Sequence, residues 1–225
     1  MIAGAAVLAA IAGAAVIYFV LFPTSSPAPF RLASTKLAAP AGSASTLAGD
    51  WKIGPGSQAG YRVREKLAFL PALSDAVGRT SAITGSATFA ATDGTLSVTT
   101  ASFVIDVETL KSNEQLRDEH IQTIGLQSAT YPKASFVLST PLKLPAAALS
   151  GKVVDVSVTG LVTIHGTARK LVIPLQMRLT ADKVEAVGSL TFPWGEFNMI
   201  APSVGGFVNV SDMATMEFDL NLVRG

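Results

Sequence analysis

The chain has 225 residues, of which 49% are hydrophobic and only 15% charged, with a formal net charge of +1. Cysteine is absent, which excludes disulfide frameworks, thiolate metal sites and cysteine nucleophiles. The near-neutral charge leaves no polybasic surface for nucleic acid, and only His120 and His165 could serve as imidazole ligands or bases.

Residues 1–22 carry no charge, and only Gly4 and Gly13 there fall outside the hydrophobic class. As a helix this run would span about 33 Å, enough for the roughly 30 Å hydrocarbon core of a bilayer. It predicts a single N-terminal transmembrane helix. A cleaved signal peptide would carry a basic start and a shorter apolar core. Arg31 and Lys36 are the only charges before residue 49, and on their own they favour a cytoplasmic placement of the chain beyond the apolar run. Residues 23–48 hold Pro23, Pro27, Pro29 and Pro40 among Ser, Thr and Ala, the composition of a linker without its own core.

Residues 49–225 form the domain and read as strand after strand. A short strand fits Asp50 to Ile53. Tyr61, Val63, Glu65 and Leu67 alternate with Arg62, Arg64 and Lys66; Ile83, Ala87 and Phe89 alternate with Thr84, Ser86 and Thr88. Strands also fit 96–107 and 134–140. Val154, Val156, Val158, Val162 and Ile164 share one face, as do Leu171, Ile173, Leu175, Met177 and Leu179. The same holds for Val184, Ala186, Leu190 and Phe192, and for Met216, Phe218, Leu220 and Leu222. Period-two alternation of this kind predicts strands with one apolar face. One segment, 112–123, is polar and predicts a short α-helix, with Ser112 as N-cap, Gln115 at the capping-box position and Gly125 as the stop. Eight or more antiparallel strands around one apolar face predict a barrel or a sandwich, and strands this long favour a tall barrel.

Chemistry-bearing motifs are scarce. There is no nucleophile elbow, phosphate loop, paired-histidine zinc motif or calcium loop. His120 reads either as a helix-face histidine bonded locally or as a polar contact to a ligand head group. His165, in Thr163-Ile164-His165-Gly166-Thr167, reads as a turn residue. The glycine-rich stretch 54–60 contains a proline and reads as a turn. Residues 67–73 make an unusually apolar connection, either a portal for a hydrophobic ligand or a loop folded over the core.

Several motifs, taken in order, resemble one family. Leu161-Val162-Thr163-Ile164-His165-Gly166-Thr167 resembles a signature of the bacterial YceI-like family, as do Arg117-Asp118-Glu119-His120-Ile121 and Tyr131-Pro132-Lys133-Ala134-Ser135-Phe136. Gly49-Asp50-Trp51-Lys52-Ile53 with Ser57 resembles its opening. Glu65 stands near a position where the family often has histidine, and Phe192-Pro193-Trp194-Gly195-Glu196-Phe197 lacks the family's arginine.

The resemblance implies an all-β, elongated, lipocalin-like antiparallel barrel of about eight strands that holds a polyisoprenoid or similar long-chain amphiphile. It also implies export, which places the domain outside the cytoplasm against the weak charge signal. The expected ligand-facing residues are Tyr61, Val63, Leu67, Phe69, Ile83, Phe89, Phe103, Ile105, Phe136, Leu138, Val158, Ile164, Leu175, Phe192 and Phe218, with Arg117 and His120 as polar contacts at the mouth. No catalytic residue, metal or cofactor is expected beyond a bound isoprenoid lipid or quinone. The membrane is the other partner, through residues 1–22. The same apolar residues would equally fill a closed core, so a ligand-free interaction or stress-response module stays open. An enzyme acting on a lipid would need titratable groups converging in the interior.

Overall fold

In a computed structural model, residues 26–32, 41–67, 73–204 and 208–225 are described. The apolar run 1–22, most of the connection 67–73 including Phe69, and the side chain of Leu67 lie outside them. No helix among the described residues is long and apolar enough to cross a membrane.

The alternating segments become strands of one antiparallel sheet: β1 (Gly49–Ile53), β2 (Gln58–Leu67), β3 (Leu73–Thr80), β4 (Ile83–Thr92), β5 (Thr95–Asp106), β6 (Lys133–Leu138), β7 (Leu142–Lys143), β8 (Val154–Ile164), β9 (Thr167–Leu179), β10 (Lys183–Pro193), β11 (Ser203–Val204) and β12 (Val208–Arg224). The sheet closes into an eight-staved barrel because the first two staves are bent and each counts as two strands. β1 and β2 together face β12, with Ile53 opposite Leu222 and Gln58 opposite Asp219. β3 and β4 together face the same bent stave, with Ala59 opposite Thr80 and Trp51 opposite Ala87. The remaining staves are β5, β6, β8, β9, β10 and β12 in order.

The bend between β1 and β2 is locked by Ser57. Its single hydroxyl proton lies between the carbonyls of Gly54 (2.9 Å) and Asn221 (3.1 Å), and its oxygen accepts from the Asn221 amide (3.0 Å), all buried. β3 was not among the expected strands, because Ser74, Asp75, Gly78 and Arg79 break its alternation.

The barrel has two different ends. At the lower end the short helix Ala44–Leu47 plugs the sheet, and Ala41, Ala44 and Leu47 join the core of Trp51, Phe89, Leu96, Leu179 and Val184. The linker therefore completes the barrel's core. At the upper end lies the helix Gln115–Thr123, as the polar segment predicts, though its N-cap is Glu114 and not Ser112. The Ser112 hydroxyl instead accepts from the Glu114 amide (3.1 Å), and the Ser112 amide donates to Asp118 Oδ1 (2.8 Å). Ile121 is buried and joins the upper core cluster with Val107, Leu110, Val162, Ile164, Phe192 and Trp194.

Trp51 carries the lower seal. It is fully buried, its indole donates to the Leu47 carbonyl (3.1 Å), and the Arg224 guanidinium covers its ring at 4.4 Å. Trp51→Ala should lower stability by about 3–5 kcal/mol, seen as an earlier urea unfolding midpoint.

Candidate functional site

Closing eight staves forces alternate residues inward, and their sizes decide whether the interior is solid. Here many inward positions are small. Ala59, Gly60, Ala87, Ala101, Ala134, Ala186 and Ala214 border an internal cavity of about 200 Å³. Ala87 and Ala101 are direct cross-strand partners, so the wall is thin there on both sides.

Larger rings are held back against the wall. Tyr61 faces Gly78 and Phe218 faces Gly188 across their ladders. A Cβ at Gly78 would lie 2.3 Å from the Tyr61 ring, and one at Gly188 would lie 2.5 Å from Phe218. The missing side chains let both rings lie along the sheet and not across the lumen.

The lining is apolar almost throughout. Of the expected residues, Tyr61, Phe89, Phe103, Ile105, Phe136, Leu138, Val158, Ile164, Leu175, Phe192 and Phe218 border the cavity. Val63 and Ile83 are buried in the two core clusters but do not border it. Residues missed include Val98, Ile173, Met177, Met199, Met216 and Leu220. Most of these share the inward phase of strands already recognised, so the alternation itself could have found them. Met199 and Trp194, in and beside a 3₁₀ turn, carried no such signal.

The lower end is sealed. Leu47, Trp51, Leu96, Leu179 and Val184 are fully buried, and none borders the cavity. The upper end is closed by groups of a different kind. Glu65 occupies an inward position near the top of β2 and is buried, and Arg117 of the upper helix reaches it at 2.7 Å. Arg117 also donates to Asn113 Oδ1 (2.7 Å), and Ser74 donates to Glu65 (3.3 Å). Thus Arg117 ties the helix to the barrel and does not border the cavity. His120 does not border it either; its Nδ1 lies 2.7 Å from the Leu116 carbonyl, within its own helix. His165 sits in the β8–β9 turn at φ 50°, stacked on Tyr131 at 4.1 Å, with Nε2 2.9 Å from Gln127 Oε1.

The wall is also incomplete near the top. The β9–β10 ladder stops at Gly188–Leu175, and Pro174, the next residue up β9, has no N–H to extend it. The turn Trp194–Phe197 fills the opening, with Phe197 fully buried and Met199 facing the cavity.

Tyr61 brings the one phenol to this region. Burial pushes its pKa well above the ordinary range, while the neighbouring Arg117 pulls the other way. Among the described residues no group of three or more acidic or histidine side chains could hold a metal ion.

A family model described as the YceI-like domain matches residues 51–222. No curated protein matches the chain. Among solved structures, the fold resembles a polyisoprenoid binding domain from Saccharophagus degradans implicated in plant cell wall breakdown, with a TM-score of 0.58 and 18% identity over 79% of this chain and 99% of that one. It also resembles BcnA from Burkholderia cenocepacia, with a TM-score of 0.52 and 20% identity over 72% of this chain and 95% of that one. At these identities the likeness is one of fold.

The upper closure is testable in two ways. Arg117→Met leaves Glu65 buried without its cation and should cost about 3–5 kcal/mol, whereas Glu65→Leu with Arg117→Met should recover most of it in urea unfolding. A phenol whose folded pKa is raised contributes stability that is complete below about pH 10 and is lost as pH rises further. Tyr61→Phe should therefore flatten the alkaline fall in stability, measured as unfolding midpoint against pH.

Proposed function

Since the chain belongs to the YceI-like domain family, we propose that its barrel binds the tail of a polyisoprenoid or similar long-chain amphiphile, outside the cytoplasm and tethered to the membrane by residues 1–22. The observation that carries this reading is the continuous apolar lumen, kept open by small residues where a closed core would place large ones. Transfer of each CH₂ from water into such a lumen contributes about 0.8 kcal/mol before the costs of binding. A tail of several isoprene units therefore needs few polar contacts. The saturated Glu65–Arg117 pair and the locally bonded His120 offer none in the closed form.

The cavity's about 200 Å³ lies below the 300–1,000 Å³ of small-molecule sites. That favours a second reading, a packed module without ligand. Under the binding reading, the lining yields to the tail. Met177, Met199 and Met216 border the lumen, and unbranched methionine re-packs readily. The role is binding and not catalysis: the buried carboxylates beside the lumen are committed to guanidiniums, Glu65 to Arg117 and Glu217 to Arg62 and Arg79.

Native purification of the full chain, organic extraction and mass spectrometry should recover a near-stoichiometric isoprenoid lipid or quinone. Ala101→Phe, which fills the thin-walled part of the lumen without adding charge, should cut that yield at least tenfold at a cost of about 1–3 kcal/mol in stability. Phe136→Asp should abolish loading. Extracts free of any bound lipid, with no uptake of added isoprenoid quinone, would leave the packed-module reading.

A further inference from the structure

The chain reaches the barrel at its upper rim. Ser26 Oγ donates to the carbonyl of Asp75 on β3, close to the Lys66–Leu73 pair that ends the β2–β3 ladder. From there residues 26–32 descend the outer wall. The carbonyls of Pro27 and Ala28 accept from Arg62 (2.7 Å) and Arg79 (2.6 Å), and the Phe30 ring lies 3.8 Å beneath the Arg79 guanidinium. The next described residue, Ala41, is already at the lower end, bonded to the Leu149 carbonyl.

Phe22, the last residue of the uncharged apolar run, precedes Ser26 by four Cα–Cα steps, which reach at most about 14 Å. The apolar run is therefore joined, four residues on, to a chain that meets the barrel at the upper rim through Ser26. That same end carries Leu73, Leu116, Ile124, Ile200 and Met213 as exposed large apolar side chains, with Ile200 76% exposed. The sealed lower end shows Val153 alone among the described residues.

We propose that the upper rim rests on the phospholipid surface that holds residues 1–22, so that the end of the barrel fastened by the Glu65–Arg117 pair faces the bilayer and ligand passes between the two without crossing bulk water. This rests on the membrane-tether part of the proposed function. The rim mixes Lys66, Lys111 and Arg169 with Glu108, Glu119 and Asp212, so its attachment is apolar and a zwitterionic surface suffices.

The absence of cysteine makes a direct test available. Ile200→Cys, Leu116→Cys and Val153→Cys each give a unique labelling site at an exposed position. The full chain, labelled with an environment-sensitive fluorophore and reconstituted into phosphatidylcholine vesicles with spin-labelled lipid, should show quenching several-fold stronger at 200 and 116 than at 153. Equal quenching at both ends, or none at 200 and 116, overturns the proposal. Shielding of the rim by a second copy of the chain would also leave those probes unquenched and overturns it. Organic extraction of the same vesicles separates the two readings. Bound isoprenoid with an unquenched rim removes the docking alone, and a quenched rim with an empty tunnel upholds the docking while removing the ligand.

Discussion

The interior exists because the sheet closes on itself, and closure depends on how the first stave bends. β12 is long enough to need a partner along its whole length, and β1 and β2 supply it only if four residues are taken out of the ladder between them. Ser57 makes that tolerable by serving the Gly54 carbonyl and both backbone groups of Asn221. A buried backbone group left without a partner costs roughly as much as a lost hydrogen bond or more. The hydroxyl and the Gly54 amide, which donates to the Asn221 carbonyl at 2.7 Å, together hold the ring shut at the point where regular pairing fails. Every inward position of the other staves takes its meaning from that closure.

Given a closed ring, the two ends are finished by opposite means. The lower end is filled with apolar volume: a tryptophan, leucines and a helical turn recruited from the linker. The upper end is fastened by a buried ion pair, Glu65 to Arg117, beneath a helix of nine residues that buries one apolar side chain, Ile121. Close packing resists opening everywhere at once, because each side chain supports several others. A single charged pair on a short helix concentrates the resistance in one contact that water can replace if the helix lifts. The asymmetry makes the upper end the easier of the two to open, and the interrupted β9–β10 ladder beside Trp194 lies at the same end.

The strand pattern was legible because an antiparallel barrel has one face in and one face out, and period-two alternation records that directly. It failed at β3, where outward Asp75 and Arg79 answer Arg62 and Glu217 on neighbouring strands. Glycine at 78 answers the Tyr61 ring. These are cross-strand reasons that no single segment displays. For the same reason the sequence identified which residues point inward but not which of them border empty space. Val63 and Ile83 face inward like Phe103, yet their neighbours fill the gap around them. Arg117 and His120 looked like mouth ligands by residue type; the partners that occupy them, Glu65 and the Leu116 carbonyl, become visible only in three dimensions. The linker was the largest surprise, since its composition gives no hint that Leu47 lies under Trp51.

The outer wall shows why that linker is part of the fold. Glu217 points outward from β12 yet is 3% exposed, because Arg62 and Arg79 converge on it and residues 27–30 cover them. Asp75 pairs with Arg62 as well, so two carboxylates balance the two guanidiniums in charge and leave a surplus of N–H donors. The strap supplies acceptors at the carbonyls of Pro27 and Ala28 and an aromatic face at Phe30, which together satisfy the surplus without adding another charge. The strap binds through two main-chain carbonyls and two side chains, Ser26 and Phe30, so it can stay rich in Pro, Ala and Ser between those anchors.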